Sequence, residues 1–229
     1  MRRLATAAVG LSIAVFVVGA ALFVLTQPPL TRLLAARFAL AEQAGLPRER
    51  MLSVAEQVRA FVAGSGASLP GVVDGRPGFD AAAVSHLEDV RSVIGGARVV
   101  TLVLAALLAL WLWLELARGR ADRIAEAMGV AAWWCLGLVV LAVAAGIFSF
   151  DALFTAFHGL FFAEGTWTFA FDSLLIQTFP EPFWAAAAGL WAGIVLLGGG
   201  ALWAGARAIR LSEARVAPVR KHESTREKA

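Results

Sequence analysis

The 229-residue chain is strongly apolar, because 59% of its residues are hydrophobic, 16% are charged and its mean hydropathy is +0.74. Average soluble domains have about 25% charged residues, so this composition excludes an ordinary water-soluble domain. The apolar residues form four blocks near the length of about 20 residues that crosses a bilayer. The sequence therefore predicts an all-α membrane protein with four transmembrane helices, at residues 7–26, 99–116, 130–148 and 184–206.

The chain has a net charge of +3, but its basic residues are placed as membrane topology requires, which argues against a nucleic-acid partner. Two basic residues precede the first span, three lie in the loop 117–129, and seven lie in the tail 207–229. The positive-inside rule places this more basic side in the cytoplasm. We therefore expect a multi-pass protein of the cell membrane with both termini cytoplasmic, and with the segments 27–98 and 149–183 outside.

The first outer segment, 27–98, is predicted to be helical. One helix opens at a proline pair and closes at Gly45, because proline suits a helix start and glycine an end. A second helix is predicted to be capped by Ser53, since Glu56 follows three residues later as in a capping box. After a loop rich in glycine and proline, a third helix is expected to begin at Asp80 and to run toward the second span.

The second outer segment, 149–183, is rich in phenylalanine and contains His158. Ten of the 15 phenylalanines lie between Phe148 and Phe183, which predicts an interfacial or re-entrant segment in the outer leaflet. An ionisable group at membrane depth is costly and marks a functional site by default. Asp172 is predicted to cap a short helix at the end of this segment.

A second histidine, His86, lies just before the second span and shares a helix face with Asp89 at i+3. Such a carboxylate favours one imidazole tautomer and raises its basicity. The alternative is that His86 is a solvated residue on a polar helix. His222 in the tail is predicted to have no function, and Cys135, in the third span, is predicted to be a small core residue.

Four stretches around these histidines resemble the lipoprotein intramolecular transacylases, a family of small four-span bacterial membrane proteins. They are "SHLEDVR" before the second span and "FHGLFF", "TWTF" and "TFPEPFW" between the third and fourth. Residues 28–79 show no specific similarity. The resemblance implies transfer of the sn-2 acyl chain of a diacylated lipoprotein to the α-amino group of its N-terminal cysteine. Because ester-to-amide transfer is downhill, neither a cofactor nor a metal is expected.

The resemblance also implies roles for individual residues. His158 is expected to be the general base and His86 the oxyanion donor or orienting partner, supported by Asp89, although the two histidine roles are interchangeable. Arg91 is expected to meet developing charge or a lipid phosphate, with a plain salt bridge as the alternative. Three aromatic side chains are expected to contact the acyl chains: Phe161, Phe162 and Trp167.

Two other readings of the same residues remain open. One is a metal-dependent membrane enzyme that uses His86, Asp89 and His158 as ligands. The other is a non-catalytic lipid-binding or structural membrane protein whose histidines only pack. A covalent acyl-enzyme is disfavoured because no "GxSxG" motif is present. The expected partners are the lipoprotein substrate and membrane lipids, and the sequence does not predict an oligomeric state.

Overall fold

The computed structural model describes the backbone of residues 2–226 and the side chains of residues 2–215. The described part is mainly helical, which confirms the all-α prediction. Its helices are α1 (Arg2–Leu25), α2 (Pro28–Phe38), α3 (Arg48–Val62), α4 (Ala81–Ala117), α5 (Ala121–Phe148), α6 (Phe150–Phe161), α7 (Leu174–Thr178) and α8 (Glu181–Arg226). Its one antiparallel hairpin is formed by β1 (Val72–Val73) and β2 (Arg76–Pro77).

Four of these helices, α1, α4, α5 and α8, are long and apolar enough to cross a membrane. Two of them extend well beyond the predicted spans. Helix α4 begins at Ala81, where Asp80 Oδ1 accepts the backbone N–H of Ala83 at 2.8 Å, as predicted for a cap. Helix α8 continues past Ala206 to Arg226, so the fourth span and the predicted tail share one helix. Hydropathy marks the end of an apolar stretch, and a helix ends only where its backbone pattern is broken.

The described chain divides into two compact units, each assembled from separate stretches of sequence. The first, here called the terminal unit, comprises, among the described residues, 2–18, 101–139 and 194–226. The second, here called the histidine unit, comprises residues 19–100 and 140–193 and therefore contains both His86 and His158.

The histidine unit has a hydrophobic core of its own, made by α2, α3, the hairpin, the first turns of α4, and α7 with the start of α8. Met51 is 1% exposed and Val54 is fully buried, both on α3. On α7, the buried Thr178 hydroxyl donates a hydrogen bond to the Leu174 carbonyl at 2.6 Å, so this buried polar group has a partner. Residues 28–79, which show no specific sequence signal, thus supply most of a core.

Three local predictions in this unit were wrong. Helix α2 ends at Phe38, and Gly45 instead completes a turn with a positive φ of 61°. Helix α3 begins directly after Pro47, so Ser53 lies inside the helix, and Glu56 forms an ion pair with Arg59 at 2.6 Å. The physical reason is that proline sets a helix start through its fixed φ, whereas a capping-box pattern also occurs within helices.

The third wrong prediction concerns the cap of α7. Ser173, the residue after Asp172, accepts the backbone N–H of Ile176 with its hydroxyl at 3.3 Å and is the N-cap. Serine and aspartate have similar cap preferences, so two adjacent candidates are not separated by sequence.

Small residues allow close helix approach in the terminal unit. A Cβ on Gly10 of α1 would lie 2.5 Å from Cγ1 of Val130 on α5, and one on Gly199 of α8 would lie 3.0 Å from Cβ of Cys135. Such close contacts are typical of helix packing in membranes, where small residues bring backbones together. Cys135 is fully buried at this contact, which confirms the prediction that it is a core residue.

We expect Gly10→Ala to destabilise the protein by about 1–3 kcal/mol, because β-branched Val130 and the Ala127 carbonyl leave no space for a methyl group. The measurement is the apparent Tm in detergent micelles. Gly137→Ala on α5 is the matched control, because a Cβ there meets nothing within 4 Å. Equal Tm values for the two variants would contradict this account of the packing.

Candidate active site

The two predicted histidines meet in the histidine unit. His86 lies in the second turn of α4, and His158 lies near the end of α6. Their ring centroids are 6.3 Å apart, and the ring planes differ by 27°. At this separation one small group, such as an ester with an attacking amine, is within reach of both rings.

His158 has a defined tautomer because of one hydrogen bond. Its Nδ1 lies 2.8 Å from the backbone carbonyl oxygen of Phe154, one turn earlier in α6. A carbonyl oxygen only accepts, so Nδ1 carries the proton and Nε2 keeps its lone pair. The His158 ring is also packed against the rings of Phe154 and Trp167, at centroid distances of 4.0 and 4.8 Å. These contacts orient a basic nitrogen.

Burial among these rings lowers the pKa of His158 below its ordinary value, while the hydrogen bond to Phe154 partly opposes the shift. A lowered pKa keeps the imidazole neutral at pH 7. Because only a neutral ring accepts a proton, the environment of His158 suits a general base.

His86 differs from His158 in that it lacks a hydrogen-bond partner. The residue is 8% exposed, and its buried Nδ1 has no partner among the described residues. Its ring contacts Phe162 and Phe169, at centroid distances of 5.0 and 5.6 Å. An unpaired buried nitrogen costs about 1–3 kcal/mol, and this cost is removed if a substrate supplies the partner.

Asp89 and Arg91 lie further along α4, and both are exposed. Asp89 forms no hydrogen bond with His86 in the described part of the chain, so it acts on the imidazole through its charge. The Arg91 guanidinium lies over the ring of Phe61 on α3, 5.7 Å from its centroid. No carboxylate lies within ion-pair distance of Arg91 among the described side chains, so the salt-bridge alternative for Arg91 is not formed there.

The three predicted acyl-chain residues do not occupy equivalent positions. Phe162 contacts both histidine rings, and Trp167 contacts His158. Phe161 is 49% exposed and packs on Phe157 and Phe162. Sequence reasoning missed Phe169, which the loop after α6 brings to His86. Its contact depends on the loop path, for which the sequence contains no periodic signal.

The metal-dependent alternative is not supported by the arrangement of donors. In the part of the chain that the structure describes, no three His, Cys, Asp or Glu side chains come together as a metal-binding group. The set of His86, Asp89 and His158 is therefore not a ligand cluster.

The four apolar helices define a multi-pass membrane protein, and its candidate site pairs a buried histidine, His86, with a half-buried one, His158. A sequence profile of the lipoprotein intramolecular transacylase (Lit) family matches residues 6–184. The chain therefore belongs to this family, whose members are membrane acyltransferases. The family predicted from the histidine motifs is confirmed, and the match also includes residues 28–79.

Solved structures show the same fold. The Lit transacylase of Bacillus cereus superimposes with a TM-score of 0.72 at 17% identity, over 94% of this chain and 98% of that chain. A variant of that protein with one histidine replaced by arginine superimposes with a TM-score of 0.64 at 17% identity, over 95% of each chain. No curated protein sequence matches this chain. At these identities the structural likeness shows the fold alone.

We expect His158 to be protonated on Nδ1 at pH 7 and to be less than half charged at pH 6.5, the usual imidazole pKa. The measurement is ¹⁵N NMR of histidine-labelled protein in micelles, where His86→Gln and His222→Gln assign the three signals. Protonation on Nε2 at pH 7 would contradict the hydrogen bond to Phe154, and titration above pH 6.5 would contradict the lowering of the pKa by burial.

Proposed function

We propose that this chain transfers the sn-2 acyl chain of a diacylglyceryl lipoprotein to the α-amino group of the lipoprotein's N-terminal cysteine. The product is an N-acyl, S-monoacylglyceryl (lyso-form) lipoprotein. The observation that carries the proposal is the meeting of His86 and His158 within 6.3 Å in an aromatic setting. Family membership supplies the lipoprotein substrate, and the histidine pair supplies the acid–base chemistry.

The transfer requires little from the protein apart from positioning and proton movement. Amine and ester belong to one molecule, so holding them together converts the reaction into an effectively unimolecular step. A C–N bond forms at the ester carbonyl carbon and the C–O bond to the sn-2 oxygen breaks. The proton lost by the amine is returned to the glyceryl oxygen, so the atoms balance without a co-reactant.

We assign the role of general base to His158. Its Nε2 has the lone pair because Nδ1–H is bonded to the Phe154 carbonyl. The α-amino group, with an ordinary pKa of about 7.7–8.0, must lose a proton during attack. A neutral imidazole accepts that proton and then donates it to the leaving oxygen.

We assign stabilisation of the oxyanion to His86. Its buried, unpaired Nδ1 gains a partner when the neutral ring, in its Nδ1–H tautomer, donates to the negative oxygen of the tetrahedral intermediate. Burial and the neighbouring His158 lower the pKa of His86 and keep its ring neutral. The negative charge of Asp89 opposes this shift in part, and this is the support that we propose for it. A donor aimed at charge that develops only in the transition state lowers the barrier selectively.

The aromatic residues around the pair suit a lipid substrate. Phe162 and Trp167 form a wall beside the histidines, and Phe161, Phe157 and Leu160 continue it along the exposed face of α6. We propose that the acyl chains lie along this wall while the ester reaches the rings.

Arg91 and the placement of charge complete the proposal. The exposed guanidinium of Arg91, without a carboxylate partner among described side chains, suits a lipid phosphate beside the substrate.

The basic residues at both chain ends and in the α4–α5 loop favour cytoplasmic termini, which puts the histidine pair on the extracytoplasmic face. Diacylated lipoproteins present their N-terminal cysteine at that face.

We expect His158→Ala to lower the rate of lyso-form production by about 10²–10⁴-fold through loss of the base. His86→Ala is expected to lower it by about 10²–10³-fold through loss of the oxyanion donor. The measurement is mass spectrometry of N-terminal lipopeptides after incubation with purified enzyme. His222→Ala is the matched control and should retain activity. Full activity of either active-site variant, with normal membrane accumulation, would favour the packing alternative.

The choice of acyl chain is tested with two substrate analogues. A lipopeptide with an ether in place of the sn-2 ester should give no N-acyl product, because the carbonyl that the amine attacks is absent. The isomer with an ether only at sn-1 should react at a rate near that of the diester. The reverse pattern would show that the sn-1 chain is transferred, while inactivity of both would point to a substrate-binding requirement for two esters.

A further inference from the structure

The terminal unit contains a cleft that is not part of the histidine site. It has a volume of about 950 Å³ and lies among the first turns of α1, the start of α5 and the middle of α8. Three of its lining residues, Ala7, Gly129 and Ala206, are small, and larger side chains at these positions would fill the cleft. The side chains that give it its chemistry are Arg2, Arg3, Trp133, Trp203, Arg207 and Arg210.

The cleft has an excess of positive charge. Glu126, the one acidic residue among the described side chains of the lining, is bound by Arg2 at 3.1 Å, and Arg2 also reaches Asp122 at 3.4 Å. Arg3 and Arg207 have no carboxylate within ion-pair distance among the described side chains. Two guanidinium groups are therefore available for an anion.

The remaining arginine, Arg210, is held in place from two sides. It donates to the Ala125 carbonyl at 3.2 Å, and its Nη2 lies 3.0 Å from the position of a Cβ on Gly129. Any larger residue at Gly129 would displace this guanidinium, so the glycine makes room for it. A positioned, exposed guanidinium beside two unpaired ones is suited to a multivalent oxyanion.

The two tryptophans indicate the kind of anion. Trp133 is 68% exposed and Trp203 is 52% exposed, and the Arg207 guanidinium lies 5.8 Å from the Trp203 ring centroid. Exposed tryptophans near the ends of spans lie at the depth of lipid head groups. An occupant of this cleft thus meets guanidinium groups at one end and apolar rings at the other, which matches an amphiphile better than a soluble anion.

We propose that this cleft binds the head group of an anionic phospholipid, with the arginines on its phosphodiester and the tryptophan rings beside its acyl chains. Basic pockets between transmembrane helices bind anionic lipids in this manner. The phosphodiester distinguishes this ligand from the acyl substrate of the histidine pair, whose diacylglyceryl group has no phosphate. The site therefore lies outside the acyl-transfer chemistry and rests on the residues of the terminal unit alone.

The first test compares ligands on the full chain in an uncharged detergent. The apparent Tm and native mass spectra are recorded with phosphatidylglycerol, phosphatidylcholine or inorganic phosphate at equal concentration. We expect phosphatidylglycerol to raise the Tm and to form a complex of defined stoichiometry, with little effect from the other two. Equal stabilisation by inorganic phosphate would indicate a soluble anion, and equal stabilisation by phosphatidylcholine would indicate that charge is not recognised; either result overturns the proposal.

The second test removes charge at the site and away from it. Arg3→Gln with Arg207→Gln should weaken phosphatidylglycerol binding by about tenfold or more, since each basic residue near an anionic lipid contributes to binding. Arg118→Gln with Arg123→Gln is the matched control, because it removes the same charge from the α4–α5 loop and the first turn of α5, outside the cleft. Equal loss in both double variants would show diffuse attraction and overturn the proposal. If the first pair does not fold, each single substitution at Arg3 or Arg207 replaces it, with the corresponding single control.

Discussion

The hydrogen bond from His158 Nδ1 to the Phe154 carbonyl is the interaction on which the proposed function depends most. It leaves Nε2 as the basic nitrogen, and the rings of Phe154 and Trp167 keep the imidazole neutral by limiting its contact with water. The bond is local to α6, so one turn of helix fixes the tautomer of the proposed base. His86 differs, because its Nδ1 has no partner among the described residues, and in the proposed mechanism it gains one when an oxyanion forms beside it.

The meeting of the two histidines depends on the core of the histidine unit. Leu87, the neighbour of His86, is 5% exposed in that core together with Met51 and Leu174, which fixes the first turns of α4. Arg76 adds polar contacts to this core, because its guanidinium donates hydrogen bonds to Gln177 Oε1 at 3.1 Å and to the Ala44 carbonyl oxygen. Residues 28–79, which contain no recognisable motif, therefore help to hold His86, a proposed catalytic residue, in place. Buried packing of this kind stabilises enough to offset one unpaired nitrogen.

Much of this architecture is predictable from sequence, for identifiable physical reasons. Apolar length indicates four spans, and the high cost of an imidazole among phenylalanines singles out His158. The choice of Ser173 over Asp172 as a cap and the early end of α2 at Phe38 depend on tertiary packing instead. The contact of Phe169 with His86, and the absence of a partner for His86 Nδ1 among the described residues, are likewise properties of the folded chain. The spacing of residues in the sequence does not predict either of them.

The account requires one substrate group to contact both rings in defined roles. The most direct measurement is an experimental structure with an unreactive diacylglyceryl-cysteine peptide whose sn-2 ester is replaced by an amide. The account predicts the α-amino nitrogen within about 2.6–3.2 Å of His158 Nε2 and the sn-2 carbonyl oxygen facing His86. A lipopeptide bound with its amine far from both imidazoles, or with His158 turned so that Nε2 bonds to the protein, would contradict it.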